Sequence, residues 1–346
     1  MFVGHALFAF AIAALVAEWR GWESRRALTI GVVAGLFAAV PDVDVAYALV
    51  GLAEWSLGDG ALGASTAFWD ASRTVHRSAT HSLVVGVVAA SAFGLLSIRR
   101  TRTHPSSSSS SGSGSGSSTA WTRLARTIAT GLLAALVVVA FAASGPVAAF
   151  VMALFAITGA VVALGTARAT TFSPATVALA ALWGLCSHPW GDLFTGEPPA
   201  WLFPFATPAL ESRVLLHPDP TLNLLGAFAI ELGVIWLALL TYAHLADRDL
   251  LAALDRRAAA GAAYGAVALV STPPTLDMSY HFVFSILGAG LLCGVVREGT
   301  VPGIHGVIPR RWRTSSGVFD IVLTALTGVT IALLAYVAVY VLAGSL

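Results

Sequence analysis

Residues 76–98 read HRSATHSLVVGVVAASAFGLLSI. From Leu83 to Ile98 the stretch carries no charge. It shows no period-two alternation, so it reads as a helix in lipid rather than a barrel strand. Just ahead of it stand two imidazoles and three hydroxyl groups, which are costly to hold beside a bilayer. The rest of the chain has the same character. Of its 346 residues, 57% are hydrophobic and only 11% charged, against about 25% charged in a soluble domain. A soluble protein of this composition has too few polar groups to cover its surface. The expected fold class is all-α: a polytopic transmembrane helical bundle of about 8–10 spans.

Ten apolar runs are candidate spans: 2–17, 28–40, 45–57, 81–98, 124–143, 146–165, 175–194, 222–243, 258–271 with 281–296, and 318–343. Several are short. PDVD at 41–44 breaks the stretch 28–57, so 28–40 is expected to cross and 45–57 to be re-entrant or interfacial. The first run begins at Phe2 with no basic segment ahead of it and no small-residue cleavage site before EWRGWESRR, and reads as a retained span. One segment is low-complexity, PSSSSSSGSGSGSS at 105–118, and cannot bury enough apolar surface to offset its chain entropy. The domain reading is therefore a membrane half over 1–100, a flexible linker over 101–123, and a second membrane half over 124–346.

The net charge of +1 gives no basic field that would argue for nucleic acid. All the basic residues are arginines, and their placement sets an orientation. If span 2–17 crosses once and the chain then alternates, sixteen arginines fall on one side and only Arg73, Arg77 and Arg213 on the other. The positive-inside rule then puts the N-terminus outside and the Ser-rich linker in the cytoplasm of a plasma-membrane protein. Cys186 and Cys293 both lie in apolar runs and read as small core residues.

The outer side collects the polar groups. His5, Asp42 and Asp44 of PDVD, His76 and His81 of HRSATHS, and His188 and Asp192 of HPWGD all fall there. Histidine and carboxylate together suit a divalent metal, zinc first, with manganese or iron as alternatives. His188 and Asp192 are spaced i, i+4, on one helical face, although Pro189 and Gly191 weaken that helix. An extended PDVD would put Asp42 and Asp44 on one side. His76 and His81 would converge if Thr80 or Ser78 caps the following helix. A carboxylate that does not bind metal could instead orient an imidazole. Each segment also has a plainer reading: a polar border residue for His5, a turn and cap for PDVD, an interfacial loop for HRSATHS, a kinked span end for HPWGD. Arg77 reads either as loop solvation or as a contact for phosphate. WLFPF at 201–205 is an aromatic anchor or a wall of the site, and Glu231 a buried partner or a site component. His217 reads as part of a turn.

His5 in the opening GH, then PDVD, HRSATHS and HPWGD followed by FPF, together resemble the YdjM family. These are membrane-bound proteins described as metal-dependent hydrolases, some of the LexA-regulated inner-membrane type, and distantly similar to zinc-dependent phospholipase C. The resemblance covers 1–100 and 180–206. It implies His5, Asp42 or Asp44, His76, His81, His188 and Asp192 as metal ligands. HPWGD departs from the family pattern in having Pro and Gly where apolar helix formers are usual.

The expected function is a membrane-embedded metal-dependent hydrolase at the membrane–water border, with a phosphoester substrate, lipid or lipid-linked. A metal there would activate water and polarise the phosphoryl group. Asp42 or Asp44 would serve as general base and Arg77 would bind phosphate. Two rivals use the same cluster. A transporter would hold its polar groups near span centres with repeat symmetry. A structural membrane protein would close four ligands around a stabilising metal.

Overall fold

The computed structural model describes residues 2–49, 60, 63, 67–68, 77, 79–99, 115–194, 198–205, 212–295 and 317–344. All regular structure among these residues is helical. The longer helices are α1 (Phe2–Trp19), α2 (Ser24–Ala38), α3 (Leu83–Leu96), α4 (Ser115–Ala169), α5 (Pro174–Asp192), α6 (Pro220–Leu245), α7 (Tyr280–Val295) and α8 (Val318–Gly344). By length and composition three can cross a membrane: Ala120–Ala169 of α4, α6 and α8. A fourth forms if α2 and the short 3₁₀ helix Pro41–Tyr47, bent by 44°, count as one broken span. Helices α1, α3 and α7 are apolar but shorter.

Helix α4 contains two of the expected spans. It breaks at Gly145, whose φ of 85° suits glycine, and Pro146 then opens the second half, where its missing N–H costs nothing. Arg126 and Ala167 line one cavity, so the two halves fold back as a hairpin. Helix α4 starts at Ser115, so 115–123 of the expected linker is helical; residues 100–114 lie outside the described residues. So do 50–57 of the expected re-entrant stretch.

The chain divides into two compact units, Met1–Arg213 and Val214–Leu346. The boundary falls after HPWGD rather than at the Ser-rich stretch, because α3 packs on both α4 and α5. A polar linker buries no apolar surface, whereas these helix faces do. Phe93 of α3 links the layers, stacking on Phe37 of α2 at 5.6 Å and meeting Phe155 of α4 at 6.3 Å. Close approach is made by small residues, as in membrane bundles. At Gly184 of α5 a Cβ would lie 2.4 Å from the Ala34 carbonyl of α2.

In the second unit, Phe282, Ile286 and Tyr336 centre a core shared by α6, α7 and α8. Asp219 caps α6 by accepting from the Leu222 N–H at 2.8 Å, and this bond holds its carboxyl below the usual range. The run expected to be a span over 258–271 is instead a 3₁₀ helix, Arg256–Ala266, followed by the α-turn Val267–Val270. The 3₁₀ helix lies tightly on α8, where a Cβ on Gly261 would meet the Gly328 carbonyl at 2.2 Å.

Candidate metal centre

Four separate chain segments of the first unit meet at one point. His5 comes from the first turns of α1, and Asp42 and Asp44 from the 3₁₀ helix Pro41–Tyr47. His81 ends the 3₁₀ turn Ala79–His81, and His188 and Asp192 close α5. His81, His188, Asp44 and Asp192 are at most 1% exposed. His76 lies outside the described residues.

Helix α5 runs unbroken through Pro189 to Asp192, so the i, i+4 pair shares a face. His188 Nε2 lies 3.8 Å from Asp192 Oδ2. Gly191 has a specific role in this arrangement. A Cβ there would sit 2.4 Å from His5 Cε1 and 2.6 Å from its Nδ1. The glycine of HPWGD, odd as a helix former, is the space that His5 occupies.

PDVD is helical, not extended. Pro41 stands at its first position, where its fixed φ starts a helix, so the two acids diverge instead of sharing a side. Each reaches a different nitrogen of His81. Asp42 Oδ1 is 3.8 Å from Nε2, and Asp44 Oδ2 is 3.7 Å from Nδ1. Thr80 Oγ1 also lies 3.0 Å from Nδ1. Thr80 is therefore not the helix cap. Ser82 is, accepting from the Val84 and Val85 N–H groups, while its own hydroxyl donates to the Phe203 carbonyl at 3.0 Å. Ser78, the other expected cap, lies outside the described residues.

The geometry sorts donors from supports. His188 Nδ1 is 2.7 Å from the Ala38 carbonyl, which can only accept, so Nδ1 carries the proton and Nε2 keeps its lone pair. That Nε2 lies 3.4 Å from Asp42 Oδ1. Asp192 faces two ways: Oδ1 is 3.4 Å from His5 Nε2 and 3.1 Å from Arg77 Nη2, and Oδ2 is 3.5 Å from His81 Nε2. Among the described residues two groups have donor atoms close enough for an ion, His5–His188–Asp192 and Asp42–His81–His188, each within 4.8 Å. His188 Nε2, Asp42 Oδ2 and Asp192 Oδ2 are buried and have no hydrogen-bond partner among the described residues. Buried polar atoms are nearly always paired, so His188 Nε2 and Asp192 Oδ2, 3.8 Å apart with Asp42 Oδ1 3.4 Å from that nitrogen, fit a cation. Charge agrees: Asp42, Asp44 and Asp192 against Arg77, with neutral imidazoles, leave two negative charges for a divalent ion to balance.

Asp42 and Arg77 are 10% and 13% exposed, the most open of the cluster. Arg77 holds a left-handed backbone, φ 67°, and its carbonyl accepts from the Ala200 N–H at 3.1 Å. The aromatic stretch 201–205 has one buried and one exposed end. Trp201 is buried and packs on Trp190 at 4.9 Å, while Phe205 is exposed. The roles of Trp201 and Ser82 depend on a contact 119 residues apart, which local sequence does not carry. His217 and Glu231 belong to the second unit.

The model of the YdjM inner membrane protein family matches residues 1–272. The chain belongs to the YdjM inner membrane protein family. The match spans every segment of the cluster and continues into the second unit, well beyond 1–100 and 180–206. No curated protein and no solved structure matches the chain. Family membership and the apolar helices make this YdjM-family chain a multi-pass inner membrane protein in contact with the lipid bilayer.

Proposed function

We propose that the cluster is a divalent metal site serving a hydrolase whose substrate is a phosphoester, lipid or lipid-linked, at the membrane–water border. The observation that carries this reading is the convergence of His188 Nε2 and Asp192 Oδ2, 3.8 Å apart and without a hydrogen-bond partner among the described residues, with Asp42 Oδ1 3.4 Å from the same Nε2. Three imidazoles with carboxylates favour zinc, with manganese or iron as alternatives. A bound ion supplies Lewis-acid polarisation and activates water.

The chain's own groups divide the remaining work. Asp44, fully buried against His81 Nδ1, orients that imidazole. Asp42 lies at the opening, and its Oδ2 is the oxygen left to take a proton from an attacking water. Arg77, beside Asp192 and partly open, offers a planar fork to phosphate oxygens. The donors come from helix ends and short turns rather than span centres, which favours a border enzyme over a transporter. The arginine bias supports a site on the outer face.

The test is metal content of the detergent-purified protein and of His81→Ala, together with hydrolysis of a phosphodiester and phospholipid panel. Stoichiometric metal lost in His81→Ala, with metal-dependent release of phosphate or headgroup, is expected. Undiminished metal in His81→Ala, or no hydrolysis across the panel by metal-loaded protein, would sink the hydrolase reading.

A further inference from the structure

At the other end of the first unit, about 20 Å along α3 from His81, lies a second polar feature. A cavity of about 680 Å³ is lined by Leu96, Ser97, Arg99, Arg126, Leu164 and Arg168, among others. Its size is that of a small-molecule site, roughly 300–1,000 Å³. Among the described residues three guanidinium groups line it and no carboxylate does. Arg99 is anchored by donating to the Thr170 carbonyl. The Nε of Arg126 is buried and has no hydrogen-bond partner among the described residues. Three like charges around one cavity repel one another, and a buried unpaired guanidinium N–H is costly. An anion relieves both.

The geometry points to a binding pocket for the phosphate of an anionic phospholipid headgroup. Guanidinium forks match phosphate oxygens bidentately, and basic pockets between membrane helices suit acidic headgroups. The depth is right as well. Trp19 and Trp121 stand exposed at this end. Trp22 stacks on Phe172 at 5.8 Å, with Arg26 4.4 Å over its ring. Such aromatics mark headgroup level. Leu96 and Leu164 give the cavity an apolar wall for the root of the acyl chains. The pocket is independent of the metal cluster and of any reaction there.

The probes are phosphatidylglycerol and phosphatidylcholine of identical chains, scored as retained adducts by native mass spectrometry of the full chain, with inorganic phosphate as the soluble arm. We expect preferential retention of phosphatidylglycerol, reduced about ten-fold or more in Arg126→Gln/Arg168→Gln. Exposed Arg123→Gln, on the same helix, should keep the preference and so controls for bulk charge. Where the double variant does not fold, Arg126→Lys replaces it, and a several-fold loss is expected because Lys lacks the fork. If millimolar inorganic phosphate displaces the lipid, the pocket reads the phosphate alone; if it does not, it reads the whole headgroup. Either supports the site. Equal retention of the two lipids, or an undiminished preference in the pocket variants, would overturn it.

Discussion

Gly191→Ala tests the cluster through a residue that could never itself bind metal. The added Cβ would fall 2.4 Å from His5 Cε1 and 2.6 Å from Nδ1. Ordinary carbon contacts are about 3.5–4.0 Å, so the ring must move by about 1 Å. His5 has little room for that. Its centroid is already 4.1 Å from that of His188, and its Nε2 is 3.4 Å from Asp192. Overpacking of this kind costs about 1–3 kcal/mol. The opposing term is helix propensity, which favours alanine by up to about 1 kcal/mol. The net expectation is a loss of stability of about 0–2 kcal/mol and a loss of metal affinity of about 10–100-fold, as for a displaced support. The discriminating measurement is a double-mutant cycle with His5→Ala, using thermal unfolding and chelator competition. Once the imidazole is gone the clash is gone, so Gly191→Ala should become neutral or stabilising and leave the residual metal affinity unchanged. If Gly191→Ala is equally harmful with and without His5, the packing argument fails.

Asp44→Asn should weaken metal binding by about 10–100-fold by loosening His81, whereas Asp42→Asn and Asp192→Asn should lose more; equal effects in chelator competition would contradict the division between support and donor. Ser82→Ala should lower stability by about 0.5–2 kcal/mol through loss of the α3 cap, while Thr80→Val should reduce metal affinity with a smaller shift in unfolding temperature; the reverse pattern would restore Thr80 as the cap. Gly159→Ala would place a Cβ 2.0 Å from Phe93 Cζ and should cost about 3 kcal/mol or more, relieved in Phe93→Leu. A cysteine at position 78, in a chain with Cys186 and Cys293 replaced by alanine, should react with an impermeant maleimide from outside; labelling only after permeabilisation would invert the orientation.

The helical class, most of the helices and the segments of the cluster were legible because hydrophobic run length and residue chemistry are local properties. His188 and Asp192 could be paired from spacing alone, since four residues is one helical turn. Other features depend on who the neighbours are. PDVD looked extended from the residue before Pro41, yet the proline itself started a helix, and this split Asp42 from Asp44. Thr80 and Ser82 are equally good caps by composition, and the loop at 201–205 chose Ser82 by accepting its hydroxyl. Gly191 read as a weak point in a helix until His5, 186 positions earlier in the chain, was seen against it. Arg99, Arg126 and Arg168 counted only as scattered positive charges, because their shared cavity exists only once α4 folds back on itself.

Arg77 shows how the backbone and the side chain of one residue can pull in opposite directions. A left-handed backbone costs a bulky residue roughly 1–2 kcal/mol and glycine almost nothing. By conformation alone, glycine is the better residue at φ 67°. The arginine side chain, however, is folded inward to 3.1 Å from Asp192, a carboxylate at the C-terminal end of α5, where the helix dipole disfavours negative charge. Arg77→Gly therefore separates the two effects. It should gain conformational energy while leaving Asp192 short of a counter-charge, so unfolding temperature should change little. Turnover of a phosphoester by the metal-loaded protein should fall by about 10²-fold or more if the guanidinium holds developing phosphoryl charge. Arg77→Lys keeps the charge and the strain but not the fork, and should recover only part of that loss. Full activity in Arg77→Gly would leave Arg77 as a counter-ion for Asp192 and nothing more.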